Sequence, residues 1–538
     1  MIKRLFTSST NSLSSAALIV ASFSILSRVV GFIRDRILAG EFGASDTLDV
    51  YFVAFRIPDL FYSLIIVGAL SASFIPLFTR YYSKKKLDKA WYLTNNILTI
   101  LTLAFGVLIA IAALFAPQLA AIIGQGFDAE KQAAVATMMR IMFLAQFLLA
   151  ISMVFGSVLQ GAKYFFVYSL APIFYNVGII FGVVMLVPVI GEIGLAWGVV
   201  LGAALHFILQ SAAVYAMGYR YKLVFDLKHK DIIYTLKHML PRVMGLAVSQ
   251  LNFIVMTIIA SSLAIGSVTM LQFAYNLNFF PVGVIAVSYA IAAFPTLCEQ
   301  SGKKHEAAFR DTLSSTLRQM FLFIIPATIL FIMLRAQIVR VVLGAGEFGW
   351  KETILTANTM AFFIGSLFAQ SVVFILVRAY FAKDDTKTPF IMGSISAGVN
   401  IIAALLLVPL YGVIGLGIAY SIAAFCQMVL LILPLRSRIG SMNEGRIARS
   451  LTKLVFAGVV CGISVQFMKN IVVEFITLDT FLGVLAQGLI AGTVGFIIYL
   501  GTAYLFKSEE LLEFLAGLKK KLFERSQAEE TIVTQLSQ

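Results

Sequence analysis

The chain is 538 residues long, 60% hydrophobic and only 13% charged, where a soluble domain carries about 25% charged residues. With a mean hydropathy of +0.93, this excludes a soluble globular enzyme or binding module and reads as a polytopic membrane protein. The formal charge of +14 sits in short loops between apolar runs, as topology and anionic-lipid signals do, so no nucleic-acid partner is expected.

In chain order, apolar runs of roughly 20 residues fall near 13–40, 47–79, 90–116, 132–160, 165–188, 191–217, 236–262, 267–298, 312–335, 354–381, 388–410, 413–435, 450–471 and 480–506. They describe an all-α membrane protein of about fourteen transmembrane helices. The opening "MIKRLFTSSTNSLSSAALIVASFSILSR" resembles a signal peptide. Its apolar stretch runs on past Arg28 without a small-residue cleavage site, so it reads as a retained first helix.

That first helix contains "SRVVGFIRDRI", with Arg28, Arg34, Asp35 and Arg36. Each charge at a helix centre costs about 2.5–3.5 kcal/mol on insertion scales, against roughly −0.5 for a leucine. Arg28 and Asp35 are about 700° of helical rotation apart and share a face, and Arg34 projects about 120° from Arg28. Measured from Leu13, Arg28 lies roughly 22 Å into the span and Arg34 roughly 31 Å. Arg28 is too deep to snorkel with ease. For Arg34 and Arg36, snorkelling at the outer end stays open beside a cavity role, although it runs against the positive-inside bias.

The second run repeats the spacing, with Asp49 and Arg56 followed by Pro58 and Asp59. Pro58 lacks an amide hydrogen and clashes with the preceding turn, which predicts a kink and freed carbonyls. Farther on, Gln250, Asn252 and Asn400 are polar positions on apolar helices, expected to hydrogen-bond between helices. His206 reads as a packed neutral histidine. Arg140, Arg242 and Arg378 are further basic positions, either cavity charges or helix-end residues.

One set of connections is basic: Lys3 and Arg4, "RYYSKKKLDK", "YRYKLVFDLKHK", "KKHEAAFR", "RSRIGSMNEGRIAR" and "KKKLFER". The alternate set, such as "EFGASDTLD" and "GEIG", is acidic or nearly neutral. The positive-inside rule places both termini in the cytoplasm. From Ser508, "EELLEFLAGLKKKLFER" sets Leu511, Leu515, Leu518 and Leu522 on one face, the pattern of an interfacial helix on the cytoplasmic leaflet.

Sliding the chain against itself by about 220 residues reveals a repeat. "AF" at 54–55 with "ASF" at 72–74 matches "AY" at 274–275 with "AAF" at 292–294. "GQG" at 124–126 matches "GAG" at 344–346, and "VPVIGEIGL" at 187–195 matches "VPLYGVIGL" at 408–416. The expected organisation is an amino-terminal six-helix lobe over 1–218, a second over 219–436, two appended helices over 437–507, and an amphipathic helix with a tail over 508–538. Parallel repeats of this kind suit alternating access about a central cavity.

No G-x-x-x-x-G-K-[ST] is present, which removes an in-chain ATPase; "VLGAGEFGW" lacks the lysine and reads as an external turn. Cys298, Cys426 and Cys461 lie far apart and the four histidines are scattered. Neither a disulfide framework nor metal-ligand spacing appears, so no metal or cofactor is expected.

"SRVVGFIRDRILAGEFGASDTLDVYFVAFRIPDLF" followed by "GALSASFIPLFTRY" resembles the opening signature of the MurJ (MviN) lipid II flippases, within the multidrug/oligosaccharidyl-lipid/polysaccharide exporter superfamily. The resemblance implies a bacterial cytoplasmic-membrane protein that moves undecaprenyl-diphosphate-linked peptidoglycan precursor from the inner to the outer leaflet. No covalent bond changes, so a transporter rather than an enzyme is expected. Cell-wall synthesis proteins are its expected protein partners, and a monomer its expected state. Arginine presents a planar fork of donors suited to diphosphate oxygens, while the prenyl tail stays in lipid beside the two appended helices.

Carried over by resemblance, the cavity residues are Arg28, Arg34 and Asp35 of the first helix, Asp49 and Arg56 of the second, and two departures. Tyr62 stands four residues after Pro58 where the family often has arginine, and Asn276 stands where an arginine of the eighth helix is common. The cationic cluster is thus biased toward the amino-terminal lobe. Alternatives are a transporter of another polyprenyl-linked glycan, a drug antiporter of the same superfamily, or a non-transporting scaffold. Drug antiport favours carboxylates in both lobes, and the second lobe offers almost none. Positive charge moving in the membrane field is worth about 2.3 kcal/mol per charge per 100 mV, a driving force open to such a cycle.

Overall fold

The computed structural model describes residues 13–64, 74–302, 305–517 and 519, apart from the side chains of 13–18, 236 and 238–246. Lys3, Arg4, the 72–73 part of the repeat match, the Arg242 side chain, Leu518, Leu522 and the tail beyond Lys519 lie outside the described residues. Among the described residues the fold is all-helical, with no strand.

Ten helices are long and apolar enough to cross a membrane, and a pair bent by 44°, Trp350–Gly365 with Leu367–Ala382, brings the number to as many as eleven among the described residues. The other three expected spans, the first, second and seventh, lie partly outside the described residues. The helix Leu13–Phe42 carries Arg28, Arg34, Asp35 and Arg36. The second run is broken into Asp46–Ala54 and Arg56–Tyr62 and continues outside the described residues. The seventh falls in Lys230–Ser261, within which the described stretch Ala247–Ser261 is apolar. The break in the second run follows from Pro58, which removes the amide that would bond the Ala54 carbonyl and crowds that carbonyl with its ring.

Packing divides the chain into two compact units. The first comprises Met1–Phe273, Val342–Thr356 and Asn400–Leu416. Its centre is the helix Ala129–Gly161, against which Ile193–Ala216 and Leu87–Leu114 pack, and Ile193–Ala216 also packs along Phe165–Phe181. Glycines allow the last approach: a Cβ on Gly202 would lie 2.3 Å from the Tyr175 carbonyl oxygen, and one on Gly198 2.7 Å from the Cα of Gly182. Small residues at a four-residue spacing let helices touch backbone to backbone, where apolar burial supplies no drive between them in lipid. Polar side chains close the remaining gaps. Ser152 bonds Nδ1 of the buried His206 at 2.8 Å, Gln250 donates to Ser63 at 2.9 Å, and Asn400 donates to Asn252 at 2.9 Å.

The second unit comprises Ala274–Val341, Ala357–Val399 and Gly417–Gln538. In it the hairpin of Glu444–Phe475 and Phe481–Leu505 packs on Glu306–Met333. Gly458 and Gly462 admit Ile325 and Ile329, and Tyr499 donates to the Leu322 carbonyl at 3.0 Å. The helical segment from Glu509 is pinned to the same helix. Arg318, 8% exposed, donates to Glu510 at 2.8 Å and to Glu509 at 3.1 Å, and the rings of Phe323 and Phe514 meet at 5.3 Å.

Burial opposes ionisation of Glu510, but its own amide, the Ser508 hydroxyl and Arg318 outweigh it and hold the carboxyl below the usual glutamate range. The stabilisation from this carboxylate is therefore whole above the ordinary value of about 4.3 and is lost as pH falls through the lower folded value. Protection of the amides over 509–517 from hydrogen exchange, taken relative to the unfolded-chain rate at each pH, is expected to be high at neutral pH and to fall as the pH drops below about 4. Glu510→Gln is expected to produce the low protection already at pH 7, since breaking a buried pair costs up to about 3–5 kcal/mol. Equal exchange in both chains at pH 7 would refute the pin.

Candidate functional site

The charged side chains of the first helix are arranged around Arg34. Its Nε and one terminal nitrogen donate to the same oxygen of Asp35 at 3.0 and 2.7 Å, and the other terminal nitrogen donates to Oδ1 of Asn176 at 2.9 Å. Neighbours in sequence point to different sides of a helix, so the long arginine side chain bends back over Asp35. Asn176 is itself oriented by donating to the Pro172 carbonyl at 3.0 Å. The side chain of Arg34 is 22% exposed and that of Asp35 5%; so little solvent strengthens the pair and makes an unpaired member costly. Tyr51, Tyr175 and Asp59 lie within electrostatic reach of the guanidinium.

Arg56 extends this polar ground. It donates to Gln272 at 2.7 Å and its guanidinium lies over the Phe253 ring, 4.5 Å from the centroid, a cation–π contact. Asp59, one turn on, accepts from Gln146 at 3.0 Å and feels the charges of Arg56 and Arg34. Arg28 is half-buried, and among the described residues it makes no hydrogen bond or ion pair. Tyr62 is half-buried at the end of Arg56–Tyr62 and makes none among the described residues either.

Asp49 is used otherwise. It is 3% exposed and caps the helix Ser267–Pro281: one oxygen accepts from the Gly266 amide at 2.8 Å, the other from the Thr269 amide at 2.8 Å and hydroxyl at 2.6 Å. Those amides are orphan donors at a helix start, where a carboxylate is most favourable. Thr269 is also the position 220 residues on from Asp49, the offset of the sequence matches between 54–195 and 274–416.

The repeated glycine turns complete this contact. Glu347, beside "GAG", donates its amide to the Gly40 carbonyl at 3.0 Å, and Gly126, in "GQG", donates to the Ser261 hydroxyl at 3.3 Å. At Gly346, with φ +46°, a Cβ would lie 2.1 Å from the Gly40 oxygen; at Gly266, with φ +83°, 2.3 Å from the Ala44 oxygen. We call this set of contacts the clasp. A cavity of about 250 Å³ adjoins it, lined by Ala44, Leu263, Met270 and Tyr411 among others, and no arginine lines it.

Asn276 lies in the second unit, half-buried on Ser267–Pro281 beside Tyr275, whose ring meets those of Phe363 and Tyr420. Arg140 donates to the Ala113 carbonyl at 3.0 Å, and Arg378 lies over the Phe294 ring. Sequence reasoning missed Asn176, Gln146 and Gln272 as partners of the charged groups. The available signal was that each is an amide side chain inside an apolar run, where a hydrogen-bond partner is needed.

A family model described as lipid II flippase MurJ matches residues 38–485. A probable lipid II flippase MurJ of Vibrio cholerae is 28% identical over 431 residues, covering 77% of this chain and 81% of the relative. One of Rickettsia prowazekii is 25% identical over 499 residues, 91% of this chain and 97% of the relative. The lipid II flippase MurJ of Burkholderia cenocepacia is 29% identical over 434 residues, 79% and 84%. A solved structure of lipid II flippase MurJ in an inward closed conformation superposes with a TM-score of 0.74 at 24% identity, covering 91% of this chain and 98% of that one. An inward-facing MATE-family multidrug transporter of the MOP superfamily gives 0.64 at 15% identity, covering 80% and 99%, which extends the shared fold to that superfamily. With a match over 38–485 of 538 residues, the chain belongs to the lipid II flippase MurJ family.

Proposed function

We propose that this chain moves lipid II, an undecaprenyl-diphosphate-linked peptidoglycan precursor, from the inner to the outer leaflet of the bacterial cytoplasmic membrane. The carrying observation is the arginine cluster inside apolar helices, with Arg34 held by Asp35 and Asn176 and Arg56 by Gln272. In the resting arrangement Asp35 keeps the guanidinium paired. An arriving diphosphate offers more oxygens and more charge, so Arg34 exchanges one carboxylate oxygen for bidentate phosphate contacts. Arg28 needs to break no bond among the described residues to reach the same headgroup. Tyr62 and Asn276 supply neutral hydrogen bonds to headgroup sugar or phosphate.

The working unit in this reading is a monomer of two six-helix lobes, 1–218 and 219–436, with both termini cytoplasmic, and cell-wall synthesis proteins receive its product. The prenyl tail runs in lipid beside the helices of 437–507. In this reading the clasp ties the two halves of the repeat together, and alternating access requires it to part when the headgroup leaves. Asp49 serves as the latch of that clasp.

The test is translocation by the full chain in proteoliposomes, with lipid II, another polyprenyl-diphosphate sugar and a cationic drug offered separately, beside rescue of cells depleted of their own flippase. Lipid II movement and rescue are expected. Movement of the other glycan without lipid II would overturn the headgroup assignment, and movement of the drug alone would assign antiport.

A further inference from the structure

The carboxyl end of the helix Glu306–Met333 gathers two cations. Lys469 donates its ammonium to the Met333 carbonyl at 3.0 Å, and Arg335 donates to the Ile332 carbonyl at 3.1 Å and to Asn358 at 3.4 Å. The two charges lie within electrostatic reach of each other. Neither forms an ion pair with a carboxylate among the described residues. This is the end of the helix opposite to the one near Arg310 and Arg318, where acidic partners such as Glu509 and Glu510 are supplied.

Part of this is ordinary capping, since the last carbonyls of a helix lack amide partners and favour a cation. Capping accounts for less charge than is present. A helix end carries about half a negative charge, whereas Arg335 and Lys469 bring two full positive ones into a half-buried place. Their mutual repulsion persists unless an anion joins them.

Hydrogen bonds among the neighbouring amides hold the backbone around Lys469 in place. Gln337 donates to Gln487 at 2.8 Å, and Gln487 donates to the Lys469 carbonyl at 3.1 Å, tying the turn after Met333 to both helices of the hairpin. Oε1 of Gln337, a residue 9% exposed, is buried with no partner among the described residues, an acceptor left for a hydroxyl or water. One turn from Lys469, Val473 is 49% exposed, so apolar surface adjoins the cations on the same side of the helix.

We infer that Arg335 and Lys469 form a phosphate-binding site of the second unit, distinct in its residues from the arginines of the first helix. The ligand is a phosphate-bearing anion, either the headgroup of an anionic phospholipid or a free diphosphate. Planar guanidinium and point-charge ammonium together take a phosphate through charge-assisted hydrogen bonds.

The probes are phosphatidylglycerol, phosphatidylcholine as the neutral-headgroup control, and inorganic diphosphate, each titrated onto the purified full chain by native mass spectrometry. The wild type is expected to bind phosphatidylglycerol or diphosphate well above phosphatidylcholine. Arg335→Gln with Lys469→Gln is expected to weaken that binding at least tenfold, while Lys469→Arg and the exposed Lys84→Gln keep it. If the double variant does not fold, Arg335→Gln alone carries the test. Loss for phosphatidylglycerol only assigns a lipid, loss for diphosphate only a soluble ligand, and loss of both a common phosphate site. Binding unchanged in the neutralised variants, or equal for phosphatidylcholine, would overturn the site.

Discussion

Asp49→Ala is expected to undo the clasp and to cut transport by tenfold or more. The substitution removes both carboxylate oxygens at once and leaves the amides of Gly266 and Thr269 and the Thr269 hydroxyl without their acceptors. Asp49 and Thr269 are both almost fully buried, so water does not readily replace it. A hydrogen bond to a charged group is worth about 1.5–3 kcal/mol, and losing a cap residue alone costs about 0.5–2 kcal/mol. A loss of about 1.5 kcal/mol, one such bond, already moves a two-state equilibrium by roughly tenfold. Hydrogen exchange of the Gly266 and Thr269 amides reads the change directly and should accelerate in the variant. Asp49→Asn keeps one acceptor and should fall between. Unchanged protection of both amides in Asp49→Ala would remove the latch.

This residue also marks where sequence reasoning stopped. An acid at the start of an apolar run reads as a headgroup or cavity group, because charge in a span needs a reason. The reason lies about 220 residues away, at a turn whose Gly266-Ser267 start says only that a helix begins. The repeat was legible from "GQG" and "GAG", but spacing alone does not tell that these turns meet Ser261 and Gly40. Helical rotation set Arg28 and Asp35 on one face, and the arginine that reaches Asp35 is its neighbour Arg34, since a long side chain overrides the nominal direction of its Cβ. Pro58 announced the break at Phe55, while hydropathy gave no sign of the bend between Gly365 and Leu367. Such breaks depend on single carbonyls and prolines, which a window averages away.

The cavity reading stands or falls with Arg34→Ala. Removing the guanidinium takes away a bidentate phosphate donor, worth about 2–3 kcal/mol and so roughly 30- to 150-fold in substrate affinity. It also breaks the ion pair with Asp35, 3% exposed, and breaking a buried pair by removing one member costs about 3–5 kcal/mol by itself. Loss of transport in the single variant therefore has two sources, and Arg34→Ala with Asp35→Asn separates them. The pair also neutralises the buried carboxylate that lost its cation, so thermal stability should recover, while transport of lipid II should stay down at least thirtyfold because no fork of donors has returned. Arg34→Lys keeps charge without the planar fork and should recover only part. Recovery of both stability and transport in the double variant would make Arg34 a structural partner of Asp35 and leave the headgroup to Arg28 and Arg56.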